Sequence, residues 1–144
     1  MQDFSTRDLI VETVNKLFVF TDQQQWQRLR EDVLTDKVDF DMSSLGGARE
    51  ILSAQTICDT WENGFKGIDA VNHLAGNYLV TIDGDKAQVF AYATATHFKK
   101  AAINGQVREF VGTYQIGLQQ LPQGWRINAF QYTLKYLAGN ADLS

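Results

Sequence analysis

Three turn signals constrain this chain more than any other feature: Asp83-Gly84, Asn104-Gly105 and Pro122-Gln123-Gly124. The first two dipeptides suit tight hairpins, because such turns require positive φ and glycine adopts it without steric cost. The signals cut the second half of the chain into four long segments, roughly 68–82, 86–102, 106–121 and 125–137. Long segments joined by short turns predict an antiparallel meander. In the second segment Ala87, Val89, Ala91, Ala93, Ala95 and His97 share one parity, and Gln88, Phe90, Tyr92, Thr94, Thr96 and Phe98 the other. A face of four alanines and a valine leaves space above a sheet.

Before Gly67 the apolar spacing is helical, with one interruption. Ser5 and Asp8 form a capping-box pattern, and Ile10, Val14, Leu17 and Phe18 mark one face of the helix that follows. Asp22 and Gln25 repeat a cap-like spacing ahead of a short second helix carrying Trp26 and Leu29. Residues 34–42 alternate as a strand, with Val38, Phe40 and Met42 on one side. Ser43 to Gly47 breaks it. A third helix is expected with Ile51, Ala54, Cys58, Trp61 and Phe65 as its core stripe, stopped by Gly64 or Gly67. Helices first and strands afterwards make an α+β chain, the helices covering one face of a curved sheet. With 144 residues, 44% of them hydrophobic, the chain suits one domain over residues 1–137, followed by a small polar tail over 138–144 expected to be loose.

Charge and cysteine usage exclude several classes. The net charge is -4, and no basic run exceeds Lys99-Lys100, so neither nucleic acid nor an anionic membrane is an expected partner. No uncharged stretch approaches the ~20 residues of a membrane span. The start, Met-Gln-Asp-Phe-Ser, is acidic where a signal peptide is basic and then apolar. The single cysteine, Cys58, forbids an internal disulfide, and the expected location is the cytoplasm. Two histidines without H-x-x-x-H or C-x-x-C spacing provide no metal site, and no Gly-rich nucleotide loop or G-x-S-x-G is present, so no cofactor is expected.

The two histidines fall on neighbouring expected strands. His97 ends the alanine floor, where an imidazole can point into a cavity, and His73 shares its parity with Val71, Ala75 and Leu79. Asp22 borders the buried stripe of the first helix. Its carboxylate can fix an imidazole tautomer and raise its basicity, or simply cap the second helix. Trp61 and Phe65 are core by default, though the same stripe can roof a pocket. Tyr114 is expected to be buried and so to need a partner for its hydroxyl. Asp39 and Asp41 read as a solvated face.

Several segments together resemble the SnoaL-like proteins of the nuclear transport factor 2-like superfamily. They are Phe20 to Leu29, His73-Leu74-Ala75-Gly76-Asn77, the Asp83 to Ala87 turn, the Ala-rich strand ending at His97, Gly112-Thr113-Tyr114 and Gly124-Trp125-Arg126-Ile127. The resemblance spans about residues 5–137 and implies a cone-shaped sheet with the helices on its concave face. Its catalytic pattern is similar to that of the scytalone dehydratases, in which an aspartate after the first helix pairs with a strand histidine while a second histidine lies across the pocket. That pattern implies Asp22 as the aspartate, His97 as its partner and His73 as the second histidine. The positions of two tyrosines that hold a catalytic water are occupied here by Thr21 and Met42, and an active-site asparagine is replaced by Tyr114.

The resulting expectation is a cofactor-independent lyase or isomerase acting on an apolar cyclic carbonyl compound. His97 is the expected base, oriented by Asp22, and His73 the acid or carbonyl-polarising donor. Thr21, Met42, Trp61, Phe65 and Tyr114 are the expected substrate contacts. A carrier of hydrophobic small molecules and a structural subunit of a larger enzyme are the alternatives, since one fold hosts many functions. Phe90, Tyr92 and Phe98 on the outer parity, with the resemblance, predict a homo-oligomer, dimer or trimer.

Overall fold

Ser5 starts the first helix as its spacing predicts. Its hydroxyl accepts from the Asp8 N–H at 3.1 Å, and the Asp8 carboxylate accepts from the Ser5 N–H at 3.0 Å. Helix α1, Thr6–Asp22, buries Ile10, Val14, Leu17, Phe18 and Phe20. The structure, a computed structural model, describes residues 3–144; Met1 and Gln2, which open the acidic start of the chain, lie outside the described residues. A three-residue helix α2, Trp26–Arg28, widens into a π-type turn over Leu29–Val33 that buries Leu29 and Val33. Gln25 stands at the N-cap of α2 without a side-chain cap, so Asp22 does not cap this helix.

Strand β1, Leu34–Asp41, follows. The third helix begins later than its apolar stripe predicts: Ile51 lies on a short edge strand β2, Arg49–Ser53, and is largely exposed. This strand pairs antiparallel with β1, where Arg49 faces Asp41 and reaches diagonally to Asp39 with two hydrogen bonds of 3.1 and 2.8 Å. Asp41 accepts from the Ser43 N–H and hydroxyl and from Gln131, so both aspartates serve the fold. Helix α3, Ala54–Gly64, is capped by the Ser53 hydroxyl and buries Ala54, Ile57 and Cys58.

The four long strands form, as β3 Ala70–Asp83, β4 Lys86–Phe98, β5 Val107–Leu121 and β6 Gly124–Gly139, but Asn104-Gly105 lies within a loop over 99–106 instead of making a tight hairpin turn. Gly84 turns the β3–β4 hairpin at φ +62°. Strand β4 stops at Phe98 rather than 102, because a loop closes between the Lys99 N–H and the Gln106 carbonyl and buries Ala102. The sheet order is β2-β1-β6-β5-β4-β3, antiparallel throughout except that β1 runs parallel to β6. Register shifts in β3 and β6 are of the kind that bend a strand, and the sheet is curved and open. Helix α1 packs against β3 and β6, and α3 against β1 and β2.

The core lies between α1, α3 and the concave face. It takes in Ala87, Val89 and Ala93, so much of the alanine face is covered by core side chains. The residues after Gly139, expected to be loose, fold back. Leu143 is 2% exposed, and the Ser144 carbonyl accepts from the Asn104 N–H at 3.0 Å. Among the described residues no helix is long and apolar enough to cross a membrane.

Candidate active site

A cavity of about 220 Å³ remains at the end of the concave face, beside Ala95 and His97. Leu17, Phe18 and Thr21 of α1 and Trp61 of α3 bound it, with Phe65 just beyond α3 and Met42 and Leu45 from the β1–β2 connection. Strand β5 contributes Arg108, Phe110 and Tyr114, and β6 contributes Phe130 and Tyr132. The wall is thus mainly aromatic and aliphatic, with two imidazoles and one guanidinium as its strongly polar groups.

Asp22, the last residue of α1, stands behind His73. Its Oδ1 lies 2.5 Å from His73 Nδ1, and its Oδ2 accepts from the His73 backbone N–H at 2.7 Å. A carboxylate offers only acceptors, so Nδ1 carries the proton of the neutral ring and Nε2 is left with a lone pair. Phe18 stacks on the imidazole at 5.4 Å between ring centres, which holds the ring plane.

His97 does not bond to Asp22. Its Nδ1 accepts from Arg108 Nε–H at 2.9 Å. The strand register explains the exchange of partners: His73 faces Ala95 across the β3–β4 ladder while His97 faces Val71, and α1 ends over β3. Burial above all, then the charges of Arg108 and His73, hold the His97 pKa down at about 4, against a smaller opposing pull from Asp22. His97 is therefore a neutral imidazole at pH 7. Its ring packs between Phe65 and Phe110.

Tyr114 is buried, and desolvation raises its pKa well above the ordinary phenol value, with Tyr132 and Asp22 adding to the rise. Burial pushes Tyr132 up to about 12, and its hydroxyl has no hydrogen-bond partner among the described residues. Both phenols stay protonated at neutral pH. Thr21 spends its hydroxyl proton on the Leu17 carbonyl at 2.6 Å. Cys58 is inert packing: burial raises its thiol pKa and it does not line the cavity.

Of the residues singled out from sequence, Thr21, Met42, Trp61, Phe65, His73, His97 and Tyr114 line one cavity, and Asp22 supports it from behind. Arg108, Phe110 and Tyr132 were missed. The signal for the first two was available, since Arg108 and Phe110 share strand parity with Tyr114. Tyr132 lies opposite Tyr114 through the β5–β6 register, which sequence does not specify.

The chain is similar in structure to the Kfla4162 protein of Kribbella flavida, with a TM-score of 0.89 and 25% identity over 96% of this chain and 95% of that one. It is similar to the hexachlorocyclohexane dehydrochlorinase LinA-type3 of Novosphingobium barchaimii, with a TM-score of 0.79 and 14% identity over 94% and 90% of the two chains. A scytalone-dehydratase-like protein of Novosphingobium aromaticivorans gives a TM-score of 0.74 and 12% identity over 92% and 85%. At such identities these last two show a likeness of fold alone. No curated protein matches the sequence. The model of the SnoaL-like domain matches residues 2–131, nearly the whole chain, and the protein belongs to the SnoaL-like family.

Proposed function

We propose that this protein is a lyase or isomerase of dehydratase type, in which His73, held by Asp22, removes a proton next to the carbonyl of an apolar cyclic compound. The observation that carries the reading is the Asp22–His73 hydrogen bond of 2.5 Å at the wall of a mainly apolar cavity. Asp22 binds the Nδ1 side, so Nε2 is the basic nitrogen, and developing imidazolium charge is stabilised by the carboxylate beside it. The roles expected of the two histidines are therefore exchanged.

In the elimination, the C–H electron pair becomes the new C=C bond as a β-hydroxyl departs. The proton held on His73 leaves with it as water. Isomerisation shares the first step and returns the proton to another carbon. The aromatic wall favours neutral rings over phosphorylated metabolites. Dehydratase and dehydrochlorinase relatives of the same fold are compatible with this chemistry.

The test uses α-tetralone in deuterated water, with exchange of the α-protons followed by NMR, and β-hydroxycyclohexanone, with enone absorbance as readout. Wild-type protein is expected to accelerate both. Asp22→Asn and His73→Ala should each lower the rates by roughly 10²–10⁴, the usual cost of losing an oriented base. Full activity in the Asn variant removes Asp22 from the mechanism. Binding of α-tetralone with no exchange in the wild type means a carrier and ends the enzyme reading.

A further inference from the structure

The hydrogen bond from Arg108 to His97 also fixes which ring nitrogen of that histidine carries its proton. Guanidinium nitrogens only donate, and an imidazole nitrogen receiving such a bond must present its lone pair. The 2.9 Å bond from Arg108 Nε–H to His97 Nδ1 therefore puts the proton of neutral His97 on Nε2. Asp22 imposes the opposite tautomer on His73, with the proton on Nδ1. One cavity thus holds a histidine whose free nitrogen accepts and another whose free nitrogen donates.

Arg108 is itself held. Its Nη1 donates to the Ala141 carbonyl at 3.2 Å, in the C-terminal segment that packs back through Leu143. Asp142 adds a favourable charge nearby. The guanidinium also lies 5.4 Å from the centre of the Phe110 ring. Backbone and ring together aim Nε at His97 from β5, where Arg108 faces His97 directly across the strand pair. A guanidinium at this place also opposes an imidazolium, so the donor stays uncharged.

We propose that Arg108 is a positioning residue that locks His97 as a neutral Nε2–H donor, and that this donor recognises the carbonyl oxygen of the ligand whose α-proton His73 removes. The proposal rests on the proton-abstraction reading for its chemistry, but the tautomer and the recognition of an acceptor oxygen stand independently of turnover. When the α-proton leaves, negative charge develops on that oxygen, and a hydrogen bond already aimed at it strengthens. The ligand class is correspondingly narrowed to neutral rings bearing a hydrogen-bond acceptor, in preference to plain hydrocarbons.

The experiment combines histidine-selective heteronuclear NMR, which separates protonated from unprotonated ring nitrogens, with binding of α-tetralone and of tetralin, its counterpart without the carbonyl. The wild type is expected to show His97 protonated at Nε2 and bare at Nδ1 near neutral pH, and to prefer α-tetralone by roughly five-fold, the worth of one net hydrogen bond. Arg108→Met should give a mixture of His97 tautomers, a raised His97 pKa and loss of most of that preference, while His73 keeps its own tautomer. A wild-type His97 protonated at Nδ1 overturns the proposal, whether or not any variant folds. So does an Arg108→Met protein with unchanged His97 signals and an unchanged preference. Should His97 behave as expected while α-proton exchange is absent, the lyase reading falls and the recognition role stands; the converse pattern removes Arg108 and leaves the Asp22–His73 base in place.

Discussion

His97 is buried without the carboxylate that would help it hold a proton, and its surroundings act on stability through pH. Arg108, His73 and Asp22 are the charged or titratable groups that act on it, and burial with the first two outweighs the third. Its pKa is about 4 in the folded chain against an ordinary value of 6.5, so between those values the unfolded chain binds the extra proton. The contribution is complete above pH 6.5 and lost as pH falls towards 4, on the order of 3 kcal/mol at most. Urea unfolding of wild type and His97→Gln across that window should show the wild type losing more stability on acidification. Parallel curves would mean that His97 is solvated like a free imidazole.

At the scale of elements, β5 and β6 leave no room for a side chain at Gly112. A Cβ there would run into the Thr133 carbonyl and stand 2.6 Å from the Tyr132 hydroxyl. The carbonyl belongs to the strand backbone and cannot retreat without disturbing the ladder, while the phenol can move only by leaving its place at the cavity wall. Gly112→Ala is therefore expected to destabilise by about 1–3 kcal/mol, as overpacking does, and to weaken α-tetralone binding along with the loss in chemical unfolding midpoint. A stable variant with unaltered binding would show that the strands part here at little cost. The same two strands explain why the cavity's extent was only half legible. Alternation along β5 marks Arg108, Phe110 and Tyr114 as one face, but the register shift beside Gly112 decides which β6 side chains join them.

For the molecule as a whole, the convex face is the surface that water covers least comfortably. Leu74, Thr94, Val111 and Tyr136 line up across four strands by register, and Leu74 and Tyr136 are 74% and 58% exposed. Tyr92 lies on the same face, with the Lys135 ammonium 4.2 Å above its ring. Contiguous apolar surface of this kind marks an interaction site, and the expected outcome is self-association through this sheet face. Light scattering at micromolar concentration should give a mass above the 16.2 kDa of one chain, reduced by Leu74→Asp. A monomer at that concentration would leave the face for another use.

Turn chemistry and alternation determined the meander from the sequence alone, because glycine at positive φ and a two-residue period are local properties of the chain. Capping determined the start of α1 for the same reason. The short edge strand β2 was not legible: its pairing depends on β1 and on the Arg49–Asp39 clamp, while its Ile51 mimics one more turn of helix. The site residues Asp22, His73 and His97 were also readable as types at telling places. Which imidazole meets the carboxylate was not, for that depends on where α1 ends over the sheet and on a ladder that sets His73 against Ala95 and His97 against Val71. Sequence spacing carries residue identity along one element. Tertiary packing chose the partners, and through them the two opposite tautomers.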